Sequence, residues 1–543
     1  MDRQFSFPSI GQAGSHKAWI MAKTKQQKAS EQNQRKIKVL VVTPEITYIP
    51  QGMGNISTHL SAKAGGLAVV SATLVKALYD LGADVHVAVP HYRQMYKTDY
   101  TNKEETNQKM LRDVIQGGEA DHVKRVHLAS SRLFNTSNRV YGCTTDECLQ
   151  RSLAFQREVI NTIIPEVNPD LIHCNDWMTG LIPSFARILG IRSLFTVHNI
   201  HTVETTLERI EDYEIDTKPF WTNLYFTHLP SGYDESRRYN RVDLLASGIF
   251  GAHFINTVSP TFLKEIVEGY HDFIPYHVRE EIKNKYYHNC AEGILNAPDP
   301  EYNPAEDPTL EAVYTAENQA EKKRQNKIAF QRALGLREDP NAPLFYWPSR
   351  LDPIQNGPQL LTEIMYSIIH DYWDRDLQIA VVADGPFQPY FYDIIRMHGF
   401  DDRVAVHPFG EQLSHLGYAA SDFVLMPSKF EPCGLPQMIG PLYGSLPVVH
   451  DTGGIHDTVQ HLDIAAGTGN GFMFKFYDAP GLRWAIDQAM AFNALPEDVR
   501  NVQISRIMKE AKQQFTHNVT AQAYIHLYEK MMDRQLVPHF DKK

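Results

Sequence analysis

Short apolar runs alternate with helical patterns in two long blocks of this chain, and this alternation limits the possible folds more than any other feature. Five runs in the first block have the composition of buried strands: 38–43, 84–90, 170–174, 192–197 and 253–258. Leucine or valine recurs at three- and four-residue spacing from Leu67 to Leu81, which predicts a helix that ends at Gly82. Strands that alternate with helices predict parallel sheets covered on both faces.

The alternation pauses between residues 296 and 343, where six prolines surround a polar helix predicted over 315–336. It resumes with strand-like runs at 344–347, 377–382, 404–406, 423–426 and 447–449. We therefore predict an α/β protein with two lobes, residues 37–294 and 295–543, preceded by a disordered basic tail over residues 1–36. A ligand is expected in the cleft between the lobes, at the carboxyl ends of the strands.

Composition excludes several classes of protein. The 543 residues include 53 Lys and Arg against 64 Asp and Glu, and this net charge of −11 does not favour broad nucleic-acid binding. No apolar stretch approaches the ~18 residues that a membrane helix needs. The five cysteines are odd in number and sparse, which suits a reducing cytosol better than a disulfide framework. We expect a cytoplasmic protein without nucleic-acid or membrane partners, and without a metal site, because no set of His, Cys, Asp and Glu has convincing ligand spacing.

The segment Lys429-Phe-Glu-Pro-Cys-Gly-Leu435 follows the predicted strand at 423–426. Pro432 prevents a helix at Glu431, so this carboxylate lies on a strand-to-helix turn where it can contact a polar substrate. Alternatively, it is a solvated surface group. Arg350 follows the first strand of the second lobe, where it could clamp a diphosphate or pair with a nearby carboxylate.

Two glycine-rich turns have the pattern of phosphate cradles. Lys63-Ala-Gly-Gly-Leu67 precedes the first helix, and Asp451-Thr-Gly-Gly-Ile455 lies between the strand at 447–449 and a helix predicted over 456–461. Paired glycines let backbone N–H groups approach a phosphate closely, and Lys63 would add a cation. A plain turn before a helix remains the simpler explanation of the first motif.

Two further motifs in the first lobe each end a predicted strand: His173-Cys-Asn-Asp-Trp177 and Thr196-Val-His-Asn199. Their position at strand ends makes these histidines candidates for the cleft, although a lone histidine is more often a structural group.

Taken in order, these motifs resemble those of the bacterial glycogen synthase and plant starch synthase family, over residues 37–530. That family carries K-[TA]-G-G-L, D-W and T-V-H-N in its first lobe, and S-R-L, P-S-x-F-E-P-C-G-L and T-G-G in its second. The resemblance implies two Rossmann-like lobes in the GT-B arrangement, with a C-terminal helix near residues 518–532 that crosses back onto the first lobe. It also implies retaining glucosyl transfer from ADP-glucose, or from UDP-glucose in a close relative, to the nonreducing end of an α-1,4-glucan.

The resemblance also assigns roles to individual residues. Arg350 would neutralise the leaving diphosphate, Glu431 would bind glucose hydroxyls, and Asp176 and His198 would border the sugar. Phe409 would stack on the nucleobase. Substrate binding would further involve Lys63, Gly65, Gly66, Asn199, Cys433, Gly434, Leu435, Thr452, Gly453 and Gly454. Cations and N–H groups of this kind stabilise a departing nucleoside diphosphate without a metal, and no cofactor is implied beyond the nucleotide-sugar donor.

Three positions depart from the family pattern. The lysine expected after S-R-L is Asn356, an acidic residue after the first glycine pair is Val69, and the glycine of L-N-G is Ala297. Losing one cation at the transition state typically costs ~10²–10³ in rate. An alternative function is therefore a weakened or inactive member that binds glucan or nucleotide as a scaffold. Asn356 could instead serve as a helix-start cap.

Overall fold

The computed structural model describes residues 36–48, 53, 66–92, 124–135 and 144–537. All but the last residue of the predicted tail, together with Lys63 and Gly65, lie outside this part of the chain. The described residues form two large sheets that are parallel throughout and one small antiparallel pair, as the alternation of strands and helices predicted.

The first lobe contains nine described strands: Lys38–Val42 (β1), Asp84–Pro90 (β2), Val126–Ala129 (β3), Leu171–Asn175 (β4), Arg192–Val197 (β5), Glu204–Thr206 (β6), Arg241–Asp243 (β7), Phe254–Thr257 (β8) and Ala291–Gly293 (β9). Its large sheet has the order β3-β2-β1-β4-β5-β8-β9, and β6 pairs with β7. The interior strand β1 is almost entirely apolar and buried, because both faces of a parallel sheet are covered.

Ten described α-helices belong to this lobe: Gly66–Asp80 (α1), Arg132–Asn135 (α2), Thr145–Glu158 (α3), Ile164–Val167 (α4), Ile182–Ile188 (α5), Leu207–Glu211 (α6), Tyr233–Tyr239 (α7), Leu244–Gly251 (α8), Pro260–Glu268 (α9) and Tyr276–Tyr287 (α10). A π-helical turn, Val159–Ile163, joins α3 to α4. The apolar stripe predicted between residues 67 and 81 forms α1, whose buried face includes Val70, Leu74 and Leu78.

The second lobe repeats the design with six strands: Leu344–Trp347 (β10), Gln378–Val382 (β11), Val404–His407 (β12), Phe423–Met426 (β13), Leu446–His450 (β14) and Phe472–Phe474 (β15). Their order is β12-β11-β10-β13-β14-β15. The helices of this half of the chain are Gln319–Leu334 (α11), Pro358–Asp371 (α12), Gln388–His398 (α13), Glu411–Ala420 (α14), Pro436–Leu442 (α15), Gly453–Thr458 (α16), Ala479–Asn493 (α17), Glu497–Gln514 (α18) and His517–Met532 (α19).

In each large sheet the order of the strands changes direction at the first strand, because the later strands add on its other side. In the first lobe β1 pairs with β2 on one side and β4 on the other, and in the second lobe β10 lies between β11 and β13. Crevices open at the carboxyl ends of strands at such switch points, and open α/β sheets bind their ligands there. Both switch points therefore mark where the functional groups should lie.

The last helix, α19, returns to the first lobe and packs into its core. Tyr524 and Tyr528 are fully buried against that core. The Tyr528 hydroxyl lies 2.7 Å from Nδ1 of His173, and Nδ2 of Asn256 donates to the Tyr524 hydroxyl at 3.0 Å. His173, a candidate from the sequence, is thus a buried structural group that joins β4 to α19.

The structure corrects the bounds of one predicted helix and excludes one of the alternatives. The helix predicted over residues 456–461 is α16, which begins at Gly453 and ends at Thr458, because Thr452 takes the N-cap position. Asn356 is not a helix cap, since Gly357 occupies the N-cap of α12 in a left-handed conformation with φ of 74°. In the described part of the chain, no helix is both long enough and apolar enough to cross a membrane.

Candidate active site

The carboxyl edges of the two sheets face each other. Val258, the residue after β8, packs against Cys433 and Met438, which follow β13 in the second lobe. The groups that follow β4 and β5 in one lobe, and β10 and β13 in the other, therefore border the same interlobe region. The sequence motifs predicted a site in this place.

Asp176 directly follows β4 and is held by the turn after β5. Its Oδ1 accepts a hydrogen bond of 2.8 Å from the backbone N–H of His198, and the N–H of Asn199 is a second donor. Burial raises the pKa of this carboxyl to about 7, against the lowering effect of the two backbone donors. The backbone at Asp176 has φ of 56°, an unfavourable value for a residue with a side chain. Such strain, about 1–3 kcal/mol, is typical of functional sites.

His198 has a defined tautomer because of its neighbour Asn175. The Asn175 amide donates to the carbonyl of Val42 at 3.1 Å, so its Oδ1 faces Nε2 of His198 at 2.9 Å and accepts the hydrogen there. Burial lowers the pKa of His198 to about 3, so the ring is neutral near pH 7. Nδ1 is then an acceptor, and no described residue donates to it. A sugar hydroxyl is a suitable donor.

Arg350 and Glu431 follow adjacent strands, β10 and β13, in the second lobe. Arg350 is exposed, and its guanidinium makes no hydrogen bond or ion pair with the described residues. Glu431 is buried, and burial raises the pKa of its carboxyl to about 7, although Ser428 and the charge of Arg350 oppose the shift. The charge of Arg350 therefore acts on Glu431 without a direct bond, and the alternative of an ion pair between Arg350 and a carboxylate is not found among the described residues.

The turn that carries Glu431 is fixed by hydrogen bonds. Ser428 donates from Oγ to the Glu431 carboxylate at 3.3 Å, and His450 donates from Nδ1 to the Ser428 carbonyl at 2.8 Å. The alternative of a solvated surface carboxylate does not apply, because the side chain of Glu431 is 8% exposed. A buried acid with a raised pKa beside an arginine is a candidate functional group.

The turn at Thr452, Gly453 and Gly454 packs directly behind Glu431. The N–H of Gly454 donates to the Glu431 carbonyl at 2.9 Å, and the N–H of Gly453 donates to a carboxylate from the first lobe, Glu265, at 2.9 Å. A Cβ atom at Gly453 would lie 2.1 Å from the Glu431 carbonyl oxygen. Close packing between two turns thus explains the glycine pair, and its role toward phosphate stays a prediction.

The remaining predicted binding residues lie around this centre. Cys433 is buried in the interlobe contact, and burial raises the pKa of its thiol to about 12, so it is not a nucleophile. Gly434 has φ of 73°, and Leu435 is the N-cap of α15. Asn199 is exposed, and its Oδ1 accepts from the N–H of Ile200 at 2.8 Å.

Phe409 lies at the carboxyl edge beyond β12, and its ring is 55% exposed. Its backbone N–H donates to Asp384, which follows β11, at 3.3 Å. An exposed ring fixed at a strand edge is suited to stack on a base.

At the start of α1, Gly66 is exposed and Val69 is half-buried, whereas Ala297, in the crossover between the lobes, is buried.

Asn356 lies in the turn that packs against the segment before Glu431. The carbonyl of Gln355 accepts from the N–H of Lys429 at 2.7 Å, and a Cβ at Gly357 would lie 2.3 Å from the Pro427 carbonyl oxygen. Asn356 is 5% exposed, and its Oδ1 has no hydrogen-bond partner among the described residues. A buried acceptor without a partner typically costs ~1–3 kcal/mol.

The described residues contain no cluster of three or more His, Cys, Asp or Glu side chains that could hold a metal ion. Sequence reasoning missed four groups that join the two lobes near the Glu431 turn: Glu265, Phe273, Phe430 and Asp457. Ser259-Pro260 after the fifth strand is a helix-start signal that would have placed α9 at the cleft. Nothing in the sequence could pair Glu265 with a turn 187 residues away.

Comparisons with known proteins show which family the chain is similar to. The family model for the starch synthase catalytic domain matches residues 38–276. The glycogen synthase of Geobacillus thermodenitrificans is 32% identical over 459 residues, which cover 80% of this chain and 89% of that protein. The glycogen synthase of Bacillus subtilis is 32% identical over 79% of this chain and 88% of its own length.

A solved structure shows the same likeness. The catalytic domain of starch synthase IV from Arabidopsis thaliana, bound to ADP and acarbose, has a TM-score of 0.71 at 25% identity, covering 92% of this chain and 100% of that one. Sucrose-phosphate synthase from Thermosynechococcus elongatus has a TM-score of 0.52 at 15% identity over 92% of this chain and 100% of its own, a likeness of fold alone.

Proposed function

Because the chain belongs to the glycogen synthase and starch synthase family of glycosyltransferases, we propose that it is a retaining glucosyltransferase that elongates α-1,4-glucan from ADP-glucose. The observation that carries the proposal is the position of Arg350 and Glu431, on adjacent strand ends at the switch point of the second sheet. The choice of ADP is supported by the Arabidopsis starch synthase structure, which binds that nucleotide.

Arg350 is suited to the leaving group. Its guanidinium is exposed at the end of β10 and is not engaged by any described carboxylate. A planar guanidinium binds diphosphate oxygens through two parallel N–H···O bonds, and its charge does not depend on pH in the working range. Negative charge grows on the diphosphate as the glycosidic bond breaks, so this contact is stronger in the transition state than in the ground state.

Glu431, together with Asp176 and His198 of the first lobe, would bind the transferred glucose. An ionised Glu431 accepts hydrogen bonds from sugar hydroxyls and stabilises positive charge that develops at the anomeric carbon. The neutral ring of His198 accepts a further hydroxyl at Nδ1, as its hydrogen bond to Asn175 requires. Asp176 fixes the backbone of the turn that carries His198. No step requires a metal or a further cofactor.

The test is transfer by the purified chain. Labelled ADP-glucose and UDP-glucose are incubated in parallel with glycogen, and both glucan-bound label and released nucleotide are measured. We expect incorporation from ADP-glucose that equals ADP release, and β-amylase should return the label as maltose, since that enzyme cleaves α-1,4 chains from the nonreducing end. Nucleotide release without incorporation, or glycogen binding without transfer, would contradict the proposal, and the second result would favour the scaffold.

A further inference from the structure

The turn that carries Glu431 is held from the opposite lobe. Helix α9 and the loop after it, residues 260–273, contact the second lobe through three separate groups. These are the carboxylate of Glu265, the N-terminal turn of α9 and the ring of Phe273. None of the three is assigned a role in the proposed transfer reaction.

Glu265 supplies the first contact. Its carboxylate accepts from the N–H of Gly453 at 2.9 Å and from the hydroxyl of Thr452 at 3.2 and 3.3 Å. His271 approaches the same carboxylate with Nε2 at 2.9 Å, and the Glu265 side chain is only 13% exposed. A carboxylate at the first N–H groups of a helix is favourable, and here the helix is α16 of the other lobe.

Asp457 supplies the reciprocal contact. It lies on α16 and accepts from the hydroxyls of Ser259 and Thr261 at 2.5 and 2.6 Å, and from the N–H of Thr261 at 3.1 Å. Each of the two helices therefore receives a carboxylate from the other at its N-terminal turn. The pair fixes both the separation and the orientation of α9 and α16, because two bonds at different points prevent rotation about either one.

The aromatic contact reaches the Glu431 turn itself. Phe273 stacks on Phe430, the residue before Glu431, with ring centroids 4.1 Å apart. The ring of His271, which also pairs with Glu265, lies 5.9 Å from Phe430. The loop after α9 thus contacts Phe430 directly, in addition to the contact that Glu265 makes with the turn at residues 452–454.

The turn at residues 452–454 transmits the Glu265 contact to Glu431. The N–H of Gly454 donates to the Glu431 carbonyl, one residue after the N–H that Glu265 accepts. A Cβ at Gly454 would lie 2.1 Å from the Cys433 carbonyl oxygen, so the two turns move as one unit. A shift of Glu265 must therefore shift the backbone of Glu431.

We propose that Glu265 is a positioning residue, which holds the Glu431 turn in its working place from across the cleft when the lobes are closed. The inference rests on the proposed function, since it assigns Glu431 to the reacting sugar. Its consequence is that the bonds that join the lobes at this turn are the same bonds that hold the carboxylate in place.

The test compares three variants. Glu265→Ala removes both acceptor oxygens, and Glu265→Gln retains one oxygen for the Gly453 N–H. The control is Glu268→Ala, an exposed carboxylate on the same helix. We expect Glu265→Ala to lower kcat by roughly 10–100-fold, the cost of displacing a catalytic group by about 1 Å, with little change in the donor KM. Glu265→Gln should recover part of kcat, and Glu268→Ala should match the wild type.

A second measurement does not need activity. Hydrogen exchange of the full chain is followed in peptides that cover residues 427–434 and 452–458. Faster exchange of both peptides in Glu265→Ala, but not in Glu268→Ala, supports the inference even if the wild type transfers no glucose. That result would contradict the proposed function but not the positioning role of Glu265. Unchanged exchange, or a donor KM that rises while kcat is kept, overturns the positioning role. If Glu265→Ala does not fold, Asp457→Asn replaces it in both measurements.

Discussion

Replacing Glu431 by Gln should reduce transfer by ~10²–10³-fold and at the same time make the stability of the protein less sensitive to alkaline pH. The side chain is buried, and burial raises the pKa of its carboxyl from about 4.5 to about 7. The folded state therefore holds the proton more tightly than the unfolded state, which makes the wild type lose stability as the pH rises. Glutamine has nearly the same shape and cannot ionise, so the variant lacks this loss.

The magnitude follows from linkage. One pKa unit corresponds to about 1.4 kcal/mol, so ionising Glu431 in the folded protein costs about 3 kcal/mol more than in the unfolded chain. The loss begins near pH 4.5, where the unfolded carboxyl ionises, and is complete slightly above pH 7. Between pH 5 and pH 8 the wild type should lose about 2–3 kcal/mol relative to the variant. In a lobe of this size that difference is a shift in Tm on the order of 5–10 °C.

The assay is differential scanning calorimetry of the wild type and Glu431→Gln at pH 5, 6, 7 and 8. Every other titrating group, including Asp176, contributes equally to both proteins, so the difference in Tm between them reports Glu431. Glu268→Gln is the matched control, because it removes the same charge from an exposed site, and its Tm should run parallel to that of the wild type.

Activity is measured on the same samples. Transfer by the wild type should rise as the pH passes 7, since the ionised carboxylate is the working form, and kcat of Glu431→Gln should fall by ~10²–10³. The reasoning is refuted if the variant keeps near-wild-type turnover. It is also refuted if the Tm difference between the two proteins is the same at pH 5 and pH 8.

Three further changes test other parts of the structure. Asn356→Lys should raise kcat tenfold or more, ~1.4 kcal/mol of barrier, with a smaller change in donor KM, because a cation is added beside the leaving group; steady-state kinetics showing no gain would contradict this. Gly454→Ala should lower both Tm and kcat, since its Cβ would meet the Cys433 carbonyl oxygen at 2.1 Å, and unchanged kinetics would be the contrary result. Tyr528→Phe removes the hydrogen bond to buried His173 and should cost ~1–3 kcal/mol in urea unfolding without changing kcat, so a change in kcat alone would be unexpected.

The parallel strands were predictable because both of their faces are buried. The strands β1, β10 and β13 are continuous apolar runs, or nearly so, and such runs can be recognised from the sequence without knowledge of the neighbouring strands. By contrast, β9 reads Ala-Glu-Gly and lies at the sheet edge, where three residues carry no pattern. The strand β9 could not be predicted from the sequence, because its position in the sheet depends on its neighbour β8.

In the candidate site, too, some residues could be predicted from the sequence and others could not. Glu431 and Arg350 could be found, since a proline-fixed turn and a strand end are local signals. Glu265 could not, because its partners Thr452 and Gly453 are 187 and 188 residues away and meet it only after both lobes have folded. The glycine pair of that turn suggested phosphate by its composition, whereas the structure gives it a second reason, close approach to the Glu431 turn.

Under the proposed function, the contacts made by Glu265, Asp457 and Phe273 would let a site divided between two lobes be both open to a polymer and accurate. The proposed roles assign Arg350 and Glu431 on the second lobe and His198 on the first, so neither lobe alone would form the site. A rigid junction would be accurate but would block a long glucan. The contacts at Glu265, Asp457 and Phe273 are polar or aromatic and involve no covalent link. We expect them to break when glucan chains exchange and, when they form again, to return Glu431 to one position.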